Sequence, residues 1–280
     1  MNASRVWLIT GAGRGLGRAL TEAALAAGDS VIATVRGDHT LSPHDRLVVH
    51  LLDVRDRAGA DTAIARAIDE FGRLDILVNN AGYGLIGAVE EVSEDDARAI
   101  IDTDLLGALW LSQAAIPVMR TQGGGEIVQV STVGAVGTMP TLGLYNAAKW
   151  GLEGFSEALA AEVAGFGIRV TIAEFGEIDT DWAGSSMHFA DPHPAYDELR
   201  TTLFGSPEVP WPATDEDTAD DADSGTGTSA ADAAAAILAR VSDPTDERLR
   251  ILVGDDAPGQ VRAALDIRLA DYARDPRFDA

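Results

Sequence analysis

Residues 6–17 read VWLITGAGRGLG, a short apolar run followed directly by four glycines in seven residues. The run at residues 6–10 is typical of a buried strand, and residues 18–27 continue with the spacing of an amphipathic helix. Glycines between a strand and a helix permit a tight turn and a close backbone approach, while the helix N-terminus supplies N–H donors and a positive dipole. The stretch therefore favours binding of a dinucleotide pyrophosphate.

The same strand-to-helix alternation extends along the chain. Apolar strand patterns stand at residues 6–10, 30–36, 47–52, 74–78, 127–130, 168–174 and 250–253. Helical patterns stand at residues 18–27, 56–71, 93–121, 143–164, 230–241 and 257–273. Strands that alternate with helices predict a parallel sheet covered on both faces. We expect an α/β fold in which residues 1–280 form a single Rossmann-type domain, with a doubly wound sheet of about seven parallel strands.

The composition limits the classes of function. The chain has 280 residues and a net charge of −24, and so acidic a protein repels nucleic acid and anionic lipid. The sequence lacks the run of about 18 apolar residues that a membrane span needs, and residues 6–9 are too few for the apolar region of a signal peptide. We expect a cytoplasmic protein that binds neither nucleic acid nor membranes. Because there is no cysteine, and because the five histidines lack metal-ligand spacing, no metal site is predicted.

Tyr145 and Lys149 are the first candidates for catalysis. They stand four residues apart in the predicted helix 143–164, so their side chains share one face. Lys149 is the only lysine in the chain, which suggests a task for a compact ammonium that arginine does not perform. A neighbouring ammonium lowers the pKa of a tyrosine from its ordinary value of about 10. Tyr145 is therefore a candidate general acid for a carbonyl oxygen.

Four motifs in this order resemble the short-chain dehydrogenase/reductase family. They are TGxxxGxG at Thr10, Gly11, Gly15 and Gly17, an acidic residue at Asp53-Val54, NNAG at residues 79–82, and YxxxK at residues 145–149. The resemblance covers residues 4–272 apart from an acidic insert. It implies a Rossmann-type fold, a nicotinamide cofactor and a small-molecule carbonyl or alcohol substrate. It also implies that Lys149 hydrogen-bonds the nicotinamide ribose, and that the chain forms a homodimer or homotetramer.

The resemblance also predicts the cofactor-binding residues. They are Gly11, Arg14, Gly15, Leu16, Gly17, Arg36, Asp53, Val54, Asn80, Ala81, Gly82, Tyr145, Lys149, Gly176, Ile178 and Thr180. An acidic residue at the end of the second strand would bind the adenosine ribose hydroxyls of NAD, but residues 33–36 contain none. Arg36 and Arg14 are suited instead to clamp a 2′-phosphate. We therefore expect NADP(H) in preference to NAD(H).

The hydroxyl that holds the substrate carbonyl can be assigned in two ways. The family usually places it 13 residues before the tyrosine, which selects Thr132, whereas counting back from Gly134 selects Ser131. Thr132 is preferred because Pro140 then stands where the family often has a proline. Ser131 is left as a predicted substrate contact.

Two further departures from the family surround the same site. Asp104 stands where the family usually has asparagine, and Phe175 replaces the proline before Gly176. An ionised Asp104 near Lys149 would partly neutralise the ammonium and raise the pKa of the tyrosine. The predicted catalytic set is Tyr145, Lys149, Thr132 and Asp104.

Residues 177–204 are expected to form the substrate lid. Trp182, Met187 and Phe189 in this segment are predicted substrate contacts, which favours a bulky or aromatic substrate; a role in core packing is the alternative. Residues 205–229 are rich in Asp, Pro, Gly, Ser and Thr, and we expect an acidic, mobile insert there.

These features together predict an NADPH-dependent carbonyl reductase. One alternative is a non-redox enzyme on the same scaffold, such as an epimerase, cyclase or dehydratase, in which Asp104 and Thr132 perform new acid–base chemistry. Another is a regulatory protein that binds NADP(H) with weak or no turnover. Retention of Tyr145 and Lys149 argues against the regulatory protein, because a sensor does not need a general acid.

Overall fold

A single parallel sheet forms the centre of the protein. The computed structural model describes residues 4–179, 187–210 and 227–278. The strands are β1 (Val6–Ile9), β2 (Ser30–Val35), β3 (Leu47–Leu51), β4 (Ile76–Asn79), β5 (Gly84–Ile86), β6 (Gly125–Thr132), β7 (Ile168–Phe175), β8 (Ile178–Asp179), β9 (Met187–Phe189), β10 (Thr228–Ser229) and β11 (Arg250–Val253). Seven of them pair in the order β11-β7-β6-β4-β1-β2-β3, all parallel. This confirms the predicted seven-stranded α/β fold.

Helices cover both faces of this sheet. They are α1 (Gly15–Ala26), α2 (Arg57–Phe71), α3 (Glu94–Ile101), α4 (Gly107–Gln122), α5 (Gly143–Val163), α6 (Asp197–Phe204), α7 (Ala230–Ser242) and α8 (Ala257–Tyr272). Alternate residues of β1 enter two separate cores: Trp7 packs with α1 and α7, and Leu8 packs with α2, α4 and α5. Burial on both faces explains why the strands are continuous apolar runs rather than alternating ones.

The predicted helix 93–121 is interrupted. Between α3 and α4, residues Asp102–Leu106 form a turn of π-helix, in which the Gly107 N–H donates to the Asp102 carbonyl. A π turn inserts one extra residue and changes the direction of the side chains, and such turns are frequent at functional sites. Asp104 lies within this turn and is buried.

The stretch Glu94–Gln122 is also the longest apolar helical run in the described residues. It has 29 residues, and its most apolar window, with a mean hydropathy of 1.3, has the length and composition of a membrane span. Of that window, 44% is buried inside the protein. Leu111, Ala115 and Met119 pack there against the sheet, as core helices of globular proteins do.

Two small parallel sheets lie at the predicted lid and were not predicted. β5 pairs with β9, and β8 pairs with β10. Strands of two or three residues are too short to show a periodic pattern, so they could not be predicted from the sequence. Residues 180–186 of the predicted lid and residues 211–226 of the acidic insert lie outside the described residues.

Candidate active site

A cavity of about 580 Å³ opens where β1, β2, β4, β6 and β7 end. In parallel sheets the ligand site lies at the carboxyl ends of the strands. Fourteen of the sixteen predicted cofactor residues line this cavity: Gly11, Arg14, Gly15, Leu16, Gly17, Arg36, Val54, Asn80, Ala81, Gly82, Tyr145, Lys149, Gly176 and Ile178. Asp104, Ser131 and Thr132 line it too. The fold therefore brings predicted residues from eight separate stretches of the sequence to one place.

The glycine loop forms one wall and needs its glycines for steric reasons. Gly11 has a φ of +64°, in the left-handed region. A Cβ at Gly17 would lie 2.5 Å from the Gly11 carbonyl oxygen and 2.6 Å from the Asn80 amide nitrogen. No side chain of the described residues caps the start of α1, so its first N–H groups keep their donor capacity for a ligand. These features fit a dinucleotide pyrophosphate.

The NNAG segment is tied to the glycine loop. The Thr10 hydroxyl oxygen accepts hydrogen bonds from the backbone N–H groups of Asn80 and Ala81, each at 2.9 Å. The Asn80 side-chain amide donates to the Thr10 carbonyl at 2.8 Å. Asn79 points the other way and donates to Gln129 at 3.0 Å, which joins β4 to β6. The motif therefore fixes the loop and the end of β4 to each other.

The predicted catalytic residues meet at the opposite wall. Tyr145 and Lys149 are buried, and the Lys149 ammonium lies 5.9 Å from the centre of the Tyr145 ring. Lys149 Nζ donates to the Val130 carbonyl at 3.1 Å. The Thr132 side chain lines the cavity together with Tyr145 and acts to lower the pKa of Tyr145. Helix α5 and the end of β6 therefore present a hydroxyl pair and a single ammonium to the cavity.

Asp104 is the second charged group at this wall. Its side chain is fully buried, with Oδ2 3.4 Å from Lys149 Nζ, and Oδ1 accepts from the Tyr83 N–H at 3.1 Å. Burial raises the pKa of Asp104 to about 6, against the opposing effect of Lys149. Burial, and then the charge of Asp104, also raise the pKa of Tyr145. The net shift is therefore opposite to the lowering of the Tyr145 pKa that was expected from Lys149. The contribution of Asp104 has the sign that was predicted for an ionised carboxylate.

The geometry also separates the two hydroxyl candidates. The Ser131 hydroxyl donates to Glu153 Oε1 at 2.6 Å, on the α5 side of the strand. The Thr132 hydroxyl instead donates to the Phe175 carbonyl at 3.3 Å and accepts from the Gly134 N–H at 3.2 Å, and it acts on the pKa of Tyr145. Thr132 is therefore the hydroxyl next to the candidate general acid.

Comparison with known proteins identifies the family. The short chain dehydrogenase family model matches residues 5–190. The chain belongs to the short-chain dehydrogenase family. An oxidoreductase of Botryotinia fuckeliana (BOA17) is 45% identical to it over 190 residues, which cover 66% of this chain and 69% of that protein. The chain is accordingly an oxidoreductase of this family.

Solved structures agree with the fold of this dehydrogenase over its whole length. A short-chain dehydrogenase from Streptomyces avermitilis superposes with a TM-score of 0.85 at 34% identity, covering 100% of this chain and 98% of that one. A second, from Burkholderia cenocepacia, was solved in complex with NADP; it has a TM-score of 0.73 at 26% identity and covers 97% of both chains. A fold neighbour from Burkholderia phymatum, at 21% identity, a TM-score of 0.75 and 95% coverage of both chains, was solved with NAD.

The remaining predicted residues of the dehydrogenase lie away from the cavity wall or outside the described residues. Asp53 is bound by Arg55 at 2.6 Å and is not among the lining residues. Met187 and Phe189 lie in β9, which is also not part of the wall. Thr180 and Trp182 fall outside the described residues.

Tyr83 and Thr34 are among the residues of the cavity wall that were not predicted from the sequence. Tyr83 lines the cavity directly after the NNAG motif, and burial followed by the charge of Asp104 raises its pKa to about 12. Thr34 lines the cavity at the end of β2, and its buried hydroxyl oxygen has no hydrogen-bond partner among the described residues. Their positions next to recognised motifs were the only available signal.

Proposed function

We propose that this dehydrogenase reduces the carbonyl group of a small molecule, with NADPH as reductant and Tyr145 as general acid. The observation that supports this proposal best is the Thr132–Tyr145–Lys149 arrangement in the wall of the cavity that also contains the glycine loop. Hydride transfer needs a cofactor and a proton donor close to one carbonyl group. The glycine loop and the wall with Tyr145 and Lys149 belong to one cavity, which supplies that proximity.

Each catalytic side chain has a separate task in the proposed reaction. When bound, the nicotinamide cofactor supplies a hydride to the carbonyl carbon. Tyr145 donates its hydroxyl proton to the carbonyl oxygen, and Thr132 positions that oxygen through its own hydroxyl. The Lys149 ammonium, held by the Val130 carbonyl, stabilises the tyrosinate that is left.

The proposed preference for NADPH rests on two arginines. Arg14 and Arg36 both line the cavity on the side of the glycine loop and β2, and guanidinium groups are well suited to bind a phosphate. Asp38 lines the same region, and its charge acts against a phosphate there. The preference for NADPH therefore depends on the balance between the two arginines and Asp38, and a substitution of one of them can test it.

The proposed substrate is bulky and apolar or aromatic. β9, which contains Met187 and Phe189, pairs with β5, and Met187 stands opposite Gly84 in the register. Gly84 directly follows Tyr83 in the chain, and Tyr83 lines the cavity. Although Met187 and Phe189 are not part of the cavity wall, this pairing supports the proposal that the apolar residues of this segment enclose an apolar substituent of the substrate.

The catalytic assignment is tested by replacing Tyr145 with phenylalanine. Oxidation of NADPH is followed with a panel of bulky and aromatic ketones, and NADPH binding is measured by titration. We expect Tyr145→Phe to lower kcat by about 100-fold or more with binding retained, because a general acid is lost. Tyr272→Phe is the matched control, because Tyr272 is exposed on α8. Tight NADPH binding by the parent protein without oxidation of any ketone would favour a non-redox enzyme or a regulatory protein.

The cofactor assignment is tested with Arg36→Ala. Loss of one charge-assisted contact costs about 1.5–3 kcal/mol, so Kd for NADPH is expected to rise about 10- to 100-fold. Kd for NADH should stay the same, because NADH lacks the 2′-phosphate. Arg18→Ala serves as the control, since Arg18 is exposed on α1 and pairs with Glu22. Equal effects on both cofactors would contradict the assignment.

A further inference from the structure

Three consecutive residues of β6 face α5. The Val130 carbonyl accepts from Lys149, the Ser131 hydroxyl donates to Glu153, and Thr132 acts on the pKa of Tyr145. On the helix, residues 145, 149 and 153 follow each other at intervals of four, so they lie on one face. The outer two residues act on Lys149 and Tyr145. The middle contact, between Ser131 and Glu153, has no part in the proposed reaction.

Glu153 belongs to a buried cluster of charges. Its side chain is 7% exposed, and its Oε2 lies 3.1 Å from Arg250 Nη2. Glu174 on β7 is 1% exposed, with Oε1 2.8 Å from Arg250 Nε, and its side chain hydrogen-bonds Glu153. Arg250 also pairs with the exposed Glu157 at the outer end of the cluster. Four elements, β6, α5, β7 and β11, are therefore joined at one point.

The cluster has more acidic groups than basic ones. Glu153, Glu157 and Glu174 face one guanidinium, Arg250, and the hydroxyl of Ser131 is the polar group that β6 contributes. Two buried carboxylates in contact do not both ionise readily. Burial, and then the charge of Glu153, raise the pKa of Glu174 to about 7, while Arg250 acts in the opposite direction. Below about pH 7 Glu174 therefore carries a proton, which its hydrogen bond shares with Glu153.

The position of the cluster connects it to catalysis. In the sheet register, Ser131 stands opposite Glu174 and Thr132 stands opposite Phe175, whose neighbour Gly176 lines the cofactor cavity. A displacement of Glu153 would release Ser131, the residue between Val130 and Thr132. Misplacement of reacting groups by about 1 Å is enough to slow a reaction strongly.

We propose that Glu153 is a positioning residue for the catalytic wall: hydrogen-bonded to Glu174 and paired with Arg250, it holds Ser131 and thereby fixes β6 against Tyr145 and Lys149. The proposal rests on the proposed reductase function. When the shared proton is lost, the two carboxylates repel each other and the Ser131 contact loosens. The turnover rate then falls as the pH rises through about 7.

The first test is Glu174→Gln, which keeps a neutral hydrogen-bonding group but cannot ionise. We expect the decline of kcat above pH 7 in the parent protein to be absent from this variant, with KM for NADPH unchanged in both. Glu162→Gln is the matched control, because Glu162 is exposed on the same helix. A Glu174→Gln variant with the parent's pH profile would overturn the proposal.

The second test separates positioning from stability. Glu153→Ala removes the acceptor of Ser131 and should lower kcat about 10- to 100-fold with NADPH binding retained. Glu153→Gln keeps an acceptor oxygen and should recover most of that loss at pH 6. If Glu153→Ala lowers only the unfolding midpoint and leaves kcat and its pH profile unchanged, Glu153 is merely structural.

Two measurements test the buried charge cluster without catalytic turnover. They therefore distinguish an error in the role proposed for Glu153 from an error in the proposed reductase function. Infrared difference spectra should show the carbonyl stretch of one protonated carboxyl group that titrates near pH 7 and is missing in Glu174→Gln. Hydrogen exchange at residues 130–132 should accelerate in Glu153→Ala. A parent protein that reduces no ketone but shows both signals loses the reductase assignment and keeps the cluster. Absence of the infrared band would contradict the proposal that Glu153 and Glu174 share a proton.

Discussion

Asp104 is the charged residue closest to the ammonium of Lys149 among the predicted catalytic residues. It places an ionisable carboxylate 3.4 Å from the ammonium that is to stabilise the Tyr145 tyrosinate. Its pKa is raised from 3.8 to about 6, so the carboxylate is neutral below about pH 6 and ionised above it. At neutral pH it therefore competes with Tyr145 for the charge of Lys149, and below pH 6 this competition disappears.

Asp104→Asn should remove this competition. Because the charge of Asp104 raises the pKa of Tyr145, a neutral amide makes Tyr145 a stronger acid, and we expect ketone reduction at pH 7.5 to accelerate about three- to tenfold. The parent's rate should rise as the pH falls through about 6, whereas the variant should show no such step. Steady-state rates between pH 5 and 8 measure both effects. Asp102→Asn, in the same π turn, is the control, and a slower Asp104→Asn variant would contradict this account.

At the residue scale, the motifs predicted most of the cavity wall because each one requires a particular residue type. The Thr132 assignment stays a prediction; Thr132 lines the cavity with Tyr145, whereas the Ser131 hydroxyl donates to Glu153. The burial of Asp104 could not be predicted, because it depends on a π turn that has the same apolar periodicity as the helices around it. The ion pair between Asp53 and Arg55 was not predicted either, although the two residues are close in sequence.

At the element scale, two glycines have opposite requirements. Gly17 opens α1, where a Cβ would lie 2.5 Å from the Gly11 carbonyl oxygen. Gly154 lies within α5, where a Cβ would meet nothing within 4 Å. Glycine is therefore needed at the first position for close approach, and at the second it only adds conformational entropy to the unfolded chain.

Alanine at these two glycines should change stability in opposite directions. Gly154→Ala is expected to raise the free energy of unfolding by about 0.5–1 kcal/mol, as in other exposed helix positions. Gly17→Ala should lower it by about 1–3 kcal/mol, because the loop has to shift, and should abolish NADPH binding. Urea denaturation and NADPH titration measure these outcomes. A Gly17→Ala variant that binds NADPH normally would contradict this prediction, because the glycine loop would then accommodate the added Cβ without loss of the binding site.

The elements themselves differed in how far they could be predicted. Strands such as β11 and helices such as α5 have enough residues for their periodicity to show, and their observed ends lie within a few residues of the predicted ones. β5 and β9 exist because Gly84 and Met187 meet in space, and nothing local to either segment specifies this pairing. A lid at residues 177–204 is therefore still a prediction from the family resemblance, while the pairing of β5 with β9 could be seen only in the folded structure.

At the scale of the whole molecule, a buried ion pair connects the lid segment to the sheet domain. Arg200 and Glu91 are each about 2% exposed and are bonded to each other. Arg200 also donates to the His193 carbonyl at 2.9 Å and to the Pro207 carbonyl at 2.8 Å, and Glu91 accepts from the His193 N–H at 2.7 Å. The Arg200 guanidinium thus connects residues 193–207 to Glu91, in the segment that follows β5.

Arg200→Ala should be among the most destabilising single substitutions in this protein. It leaves the Glu91 carboxylate buried without its partner, which costs about 3–5 kcal/mol of unfolding free energy. Arg98→Ala breaks a pair with Glu94 whose side chains are 72% and 78% exposed, and should cost about 0.5 kcal/mol or less. Urea denaturation of both variants gives the comparison. The combined Glu91→Leu, Arg200→Met variant should lose less stability than Arg200→Ala, because no unpaired charge stays buried; an equal or larger loss would mean that the carbonyl contacts of Arg200, rather than the ion pair, hold the lid segment.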